Sequence, residues 1–278
     1  MLNRVSNSLK QLPDVWASTA PISSKNGPLS PDPSLPGGFS NCTKYRSQKL
    51  FDMNKLRIPE AQRPMFRAVN EAVRDYMYGD HLDPSHDYEH IQRVVNNAHK
   101  ILQSERIVRP AWTARIDPVV VYLAAMVHDV GEPKYLQKGQ TQYDEVENLL
   151  KSCGVWTPIR RKVSYIVPLV SFTNEAKHEE EVKGLAEDYP ELAVVQDADR
   201  LDGIGMIGQG RCFVYGGANQ YRREHTIHMA VQLQWSRFYK YLDFMKTPTG
   251  KKEAEKRLGR MARFRLEWNE ETDVSSVL

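Results

Sequence analysis

The chain is poor in cysteine. Cys42, Cys153 and Cys212 are the only three in 278 residues, at wide and irregular spacing. An odd number without pattern excludes a disulfide framework and a CxxC zinc site, and it fits a reducing compartment. Long apolar runs are also missing, so no membrane span is expected. The opening segment, MLNRVSNSLKQLPDVW, lacks the apolar core of a secretion signal. Arg4, Lys10 and the serines suit a mitochondrial presequence, whereas Pro13 and Asp14 speak against one, so an intracellular protein of cytoplasm or nucleus is expected. Charge of one sign is scarce too. A net +3 suits a small anionic substrate without demanding nucleic acid, and no sequence-specific nucleic-acid partner is expected. Strand-like alternation is nearly absent, because the β-branched run at 119–121 lies inside a longer apolar block.

What is present is an ordinary globular composition, 41% hydrophobic and 26% charged. Residues 17–42 are rich in Ser, Pro, Gly and Asn and bury too little apolar surface to offset the entropy of ordering. The reading is a disordered tail over 1–55 and one folded domain over 56–278. Within that domain the patterns are helical. Met65, Val69, Val73 and Met77 recur every fourth residue, which predicts a helix over 64–78. Ile91, Val94, Val95, Ala98, Ile101 and Leu102 mark a second stripe. The block 118–130 is apolar nearly throughout and long enough for a buried central helix, which Gly131 and Pro133 then stop. Further helices are expected at 141–153, 158–170 and 174–187, from near 197, and over 223–246 and 250–270. The sum is an all-α domain of about eight or more helices.

Three distant segments carry chemistry: SHDYEHIQRV (85–94), AAMVHDVGE (124–132) and VVQDADRLDGIG (194–205). His128 and Asp129 end the most buried helix, where a carboxylate is costly unless paired or bound to a cation. His86 and His90 share one helical face, with Arg93 one turn on. Asp197, Asp199 and Asp202 crowd beside apolar residues and would repel one another there without a cation. Ser85, Asp87 and Glu89 read as an ordinary helix start. Gly203, Gly205, Gly208 and Gly210 would allow a backbone or ligand to approach closely, but they match no phosphate loop.

The ordered set H…HD…D resembles the HD-domain superfamily of metal-dependent phosphohydrolases, and in fuller detail its YedJ-like branch. SHDYEHIQRV, AAMVHD, QDADRLDGIGMIGQGR with FVYGG, and HMAVQLQWSRFYKYLDFMKT with AEKR carry the likeness over about residues 65–268. The resemblance implies an HD-type helical domain and a site for one divalent ion (Mn, Fe, Co, Ni, Mg or Zn) held by His90, His128, Asp129 and Asp199. It leaves His86, Asp197 and Asp202 as supporting or substrate-side residues. The implied reaction is attack of metal-activated water on a small phosphorylated substrate, with Asp129 at the reacting centre and Glu132 or Asp202 handling the proton. His86, Arg93, Lys134, Arg200 and Arg211 are then the candidates to hold substrate. A two-iron oxygenase of the same fold would need further histidines between the HD pair and the last Asp. Only His178 lies there, in the solvated-looking run KHEEEVK, so a single ion is expected. A non-catalytic binding module is the remaining alternative. The late aromatics Trp235, Phe238, Tyr239, Tyr241 and Phe244 read as helix packing rather than a base platform.

Overall fold

The computed structural model describes residues 42–43, 46–47, 49–79, 82–218 and 226–278. Twelve α-helices form among them, and the only strands there are a two-residue antiparallel pair, Cys42–Thr43 against Arg46–Ser47. The fold is all-α, and no helix among the described residues is long and apolar enough to cross a membrane.

Helix α1 (Arg63–Met77) buries Phe66, Val69, Val73 and Met77, close to the predicted stripe. A second helix, α2 (Tyr88–Val108), buries all six of its predicted apolar positions. A short turn, α3 (Pro110–Thr113), leads into α4 (Pro118–Val127). There Asp117 caps the start by accepting from the Val119 amide, and Pro118 occupies the first turn. Every residue of α4 after Pro118 is buried. The β-branched run 119–121 favours a strand locally. It becomes helical because α1, α2, α6 (Thr157–Ile166) and α9 (Pro190–Asp202) all pack on α4, so an apolar helix is covered all round. Between them, α5 (Gln142–Ser152) lies against α6.

Several boundaries differ from the sequence reading. The helix expected over 158–170 ends at Ile166 and tightens into a 3-10 turn, Val167–Leu169, where Pro168 can donate no hydrogen bond. The helix expected over 174–187 is two, α7 (Phe172–Glu175) and α8 (Glu179–Asp188). Helix α9 starts at Pro190, well before the expected position near 197, because proline suits the first turn. The glycine-rich stretch folds as α10 (Gly205–Ala218), which its composition hid. A Cβ on Gly208 would lie 2.3 Å from the Gly203 carbonyl oxygen, so this glycine serves close packing at a helix start. Of the helix expected over 223–246, α11 (His228–Arg237) and a 3-10 turn, Phe238–Leu242, are seen, and 223–225 lie outside the described residues. The last helix is α12 (Pro248–Glu271), capped by Thr247.

Most of the expected N-terminal tail, including residues 1–41, lies outside the described residues. From Lys49 on, the chain packs on α1 and α2. The Phe51 amide donates to Asn70 Oδ1 at 2.8 Å, and Tyr88 donates its hydroxyl to the Lys49 carbonyl at 3.1 Å. Ile58 is buried in the same core.

Candidate metal centre

Three helices deliver the chemical side chains to one place. His90 lies in the first turn of α2, where the cap residue Asp87 accepts from the His90 amide at 2.8 Å and fixes its position. His128 and Asp129 follow directly on α4. The carbonyls freed at that helix end are satisfied by Gln142, which donates to His128 O at 2.8 Å and Val130 O at 3.2 Å. Gly131, with φ of 64°, turns the chain away, and its amide donates to the Tyr76 hydroxyl at 3.1 Å. Asp199 and Asp202 come from the last turn of α9, which packs along α2.

The two imidazoles face each other. His90 Nε2 and His128 Nε2 are 3.1 Å apart. His90 Nδ1 meets Asp202 Oδ2 at 2.7 Å, and His128 Nδ1 meets the Ala125 carbonyl at 2.9 Å. A carboxylate and a carbonyl can only accept, so each Nδ1 carries its ring's proton and each Nε2 presents a lone pair. Asp129 Oδ2 lies 3.3 Å from His90 Nε2, and Asp129 Oδ1 lies 3.3 Å from His128 Nε2. Asp199 Oδ1 is 3.6 and 3.5 Å from the same two nitrogens. Asp129 Oδ2 is buried and accepts no hydrogen bond. Both imidazoles are buried, and lone pairs and negative oxygens converging on them at the edge of the core are repulsive unless a positive charge sits among them.

The titration behaviour has the same cause. Burial alone would lower the His128 pKa, but the charges of Asp129 and Asp199 and the Ala125 carbonyl outweigh it and push it up to about 9. Burial likewise opposes ionisation of Asp129, and the neighbouring imidazoles nevertheless hold it well below the usual carboxylate range. The cluster therefore takes up a proton when nothing else supplies the charge. A borderline divalent ion fits it better than a proton does, since two imidazole nitrogens and carboxylate oxygens form a mixed donor set. His90, His128 and Asp129 could hold such an ion, with Asp199 beside them.

A group whose folded pKa is raised stabilises the fold fully below its unfolded pKa, and that contribution is lost as pH rises through the folded value. For His128 this window runs from 6.5 to about 9. Metal-free protein is expected to lose thermal stability across it, and saturating Mn²⁺ is expected to flatten the loss. Calorimetric scans at stepped pH check this, and a metal-free midpoint that does not change across the window would contradict it.

Asp202 has a different task from the proton handling expected of it. It accepts from Arg93 Nε at 2.8 Å, from Arg93 NH2 at 3.1 Å and from Arg211 NH1 at 3.2 Å, besides His90. Burial opposes ionisation, but these partners hold its carboxyl well below the usual range. It stays charged and orients the His90 ring, as carboxylates behind ligating histidines do. Arg93 and Arg211 support that carboxylate rather than standing free for phosphate. Asp202→Asn is expected to weaken divalent-ion affinity about 10- to 100-fold with the fold intact, read by competition with a metallochromic chelator. Unchanged affinity would contradict the orienting role.

The remaining predicted residues divide. Glu132 pairs with Lys134 at 2.9 Å, and Lys134 Nζ lies 3.2 Å from His86 Nε2. These three line a cavity of 930 Å³ together with His128, Asp129 and Asp199. Arg200 is absent from it. Its guanidinium is buried against Glu175, which also pairs with Lys246, so it belongs to the packing between α7 and α9. Asp197 is likewise structural. It accepts from the amides of Lys246 and Thr247, each at 2.8 Å, and from the Thr247 hydroxyl at 2.7 Å. A Cβ on Gly250 would come 2.3 Å from Asp197 Oδ2, so a glycine is needed where α12 begins. His178 is exposed and faces Glu181. The sequence reading missed Thr173, Arg237 and Tyr241, which line the same cavity. Arg237 and Tyr241 sit in the aromatic stretch for which helix packing is expected in preference to a base platform.

Comparison with known proteins adds four findings. The family model described as HD domain matches residues 87–204, a span that holds His90, His128, Asp129, Asp199 and Asp202. The chain is 30% identical over 200 residues to the uncharacterized protein YpgQ of Bacillus subtilis, covering 70% of this chain and 89% of that one. The crystal structure of Bacillus subtilis YpgQ in complex with ADP superposes with a TM-score of 0.53 at 26% identity, over 73% of this chain and 98% of that one. An HD-superfamily hydrolase from Bacillus thuringiensis shares the fold, with a TM-score of 0.52 at 23% identity over 76% and 97% of the two chains.

Proposed function

This chain belongs to the HD-domain superfamily, and on that premise we propose that it is a metal-dependent phosphohydrolase cleaving a phosphoester or phosphoanhydride of a small phosphorylated metabolite, a nucleotide in particular. The finer placement in the YedJ-like branch is part of the same proposal. The observation that carries it is the pair of facing Nε2 lone pairs 3.1 Å apart, bordered by Asp129 and Asp199, at the lining of a cavity with cationic residues.

His90, His128, Asp129 and Asp199 would hold one divalent ion. When bound, such an ion supplies Lewis acidity toward water and a phosphoryl oxygen. The protein's own residues do the rest. Asp202 fixes the His90 ring, and the Ala125 carbonyl fixes that of His128. Lys134, held beside His86 Nε2 at the cavity lining, offers donors to a phosphate, and His86 orients it. Glu132, in the same lining and paired with Lys134, is the acid placed to take or give the reaction's proton. The only histidine in sequence between Asp129 and Asp199 is the exposed His178, which favours one ion over the two of an oxygenase. The ADP bound to YpgQ supports a nucleotide as substrate for this chain as well.

The test is to strip the protein of metal and restore Mn²⁺, Co²⁺, Ni²⁺, Mg²⁺, Fe²⁺ or Zn²⁺ singly against a panel of nucleotides and phosphoesters. Phosphate or pyrophosphate release that depends on added ion supports the reading. Equal turnover without metal, or none with any ion, overturns it.

A further inference from the structure

Asp83 and Ser85 precede α2 and serve neither its cap nor the metal cluster. Asp87 caps that helix, so Ser85, expected as part of an ordinary helix start, is not needed for it. Ser85 is buried, and its hydroxyl lies between the Asp83 carboxylate and His86 Nδ1. Asp83 takes bonds from two directions. Its Oδ1 accepts from the Ser85 hydroxyl and from the Ser85 amide, the latter at 2.9 Å. Its Oδ2 accepts from the Tyr135 hydroxyl at 3.2 Å, at the end of the 3-10 turn Pro133–Tyr135 that carries Lys134.

We infer that Asp83 and Ser85 are positioning residues for Lys134, and that they act by fixing the His86 ring as its Nδ1–H tautomer. This rests on the proposed reading of Lys134 as a donor to phosphate. Donor and acceptor chemistry decides the tautomer. A carboxylate can only accept, so the single proton of the Ser85 hydroxyl points at Asp83. Burial opposes ionisation of Asp83, but bonds from His86 and Ser85 hold its carboxyl below the usual carboxylate range. The Ser85 oxygen then has only lone pairs left for His86 Nδ1, 2.8 Å away, and that nitrogen carries the ring's proton. Nε2 is left with a lone pair. Lys134 Nζ lies 3.2 Å from Nε2 and 3.5 Å from Nδ1. An ammonium so close suits a neutral ring with its lone pair on the nearer nitrogen, and an N–H there or an imidazolium would repel it. The Tyr135 link works from the other side. It fastens the turn that carries Lys134, whose Nζ lies 4.7 Å from the Tyr135 ring centroid. One carboxylate thus holds both the ring and the turn that keep Lys134 at the cavity.

The test uses the full-length protein with Mg²⁺, which is diamagnetic. Long-range ¹H–¹⁵N spectra of protein labelled at histidine read the tautomer of each ring, and His86→Gln identifies the His86 signals. Titration calorimetry measures pyrophosphate affinity in the same samples. Wild type is expected to carry the His86 proton on Nδ1. Ser85→Ala is expected to lose that preference and to bind pyrophosphate about tenfold more weakly, the worth of one hydrogen bond to a charged group, with Mg²⁺ affinity unchanged. Ser85→Thr keeps the hydroxyl and should restore both readouts. Tyr135→Phe should weaken pyrophosphate and leave the tautomer as in wild type, and it keeps the test decisive where Ser85→Ala does not fold. A His86 proton on Nε2 in wild type, or full pyrophosphate affinity in Ser85→Ala and Tyr135→Phe, overturns the inference. Mg²⁺ affinity that falls in step with pyrophosphate affinity shows a merely structural role and overturns it as well. A fixed Nδ1–H tautomer in a protein that binds no pyrophosphate would sustain the Asp83–Ser85–His86 chain and remove the proposed phosphate site, so the two can fail separately.

Discussion

Asp129→Asn is expected to leave the protein folded but unable to retain a divalent ion, and to cut ion-dependent phosphate release by about two to three orders of magnitude or more, the scale on which loss of one preorganised electrostatic group slows an enzyme. The argument starts from charge. Asp129 Oδ2 is buried without a hydrogen bond, and Oδ1 lies 3.3 Å from His128 Nε2. An amide there keeps the shape and removes the negative charge that draws a cation. It also presents an NH2 to imidazole lone pairs, which satisfies them in place of metal. Stability separates loss of metal from loss of fold. A ligand that binds only the native state at a hundred times its Kd stabilises by about 2.7 kcal/mol, so wild type should gain melting temperature on adding Mn²⁺ and the variant should not. Metal content per chain by mass spectrometry completes the test. A variant that keeps one ion per chain, or keeps its activity, would remove Asp129 from the centre.

The parts of the site legible in the sequence were those in which a residue sits beside a strong local pattern. His90 borders an amphipathic stripe, His128 and Asp129 end an apolar block, and Asp199 follows an apolar pair, so each could be placed on a helix before any packing was known. What a side chain faces across a helix crossing was not legible. Asp197, Asp199 and Asp202 are nearly adjacent in sequence, yet one fastens α12, one borders the imidazoles and one orients His90. Only the positions of α2 and α12 relative to α9 separate them. The same holds for Arg237, whose residue lines the cavity from the last turn of α11. Helix α10 was missed for a local reason, since glycines that read as loop are tolerated where Gly208 must pass close to Gly203.

Arg200 shows the cost of reading a cation beside a motif as a phosphate ligand, and its replacement gives the second large effect. Arg200 and Glu175 are both about 1% exposed and are paired, and Glu175 also accepts from Lys246. One carboxylate thus serves two cations. Removing one partner of a buried pair leaves an uncompensated charge and costs about 3–5 kcal/mol. The two sides of this triad are therefore unequal. Glu175→Leu strands both cations and is expected to cost the full amount. Arg200→Met leaves Glu175 with Lys246 and fills much of the same volume, so a smaller loss is expected. The double variant should be more stable than Glu175→Leu alone, because it removes one of the two stranded charges. Urea denaturation of the three proteins measures the order. Binding adds the functional half: Arg200→Met should keep one ion per chain and an unchanged affinity for pyrophosphate, because its guanidinium does not line the cavity beside the centre. A large loss of pyrophosphate affinity at normal stability would restore Arg200 to the substrate site. Arg200→Met as destabilising as Glu175→Leu would show that Lys246 does not share the carboxylate.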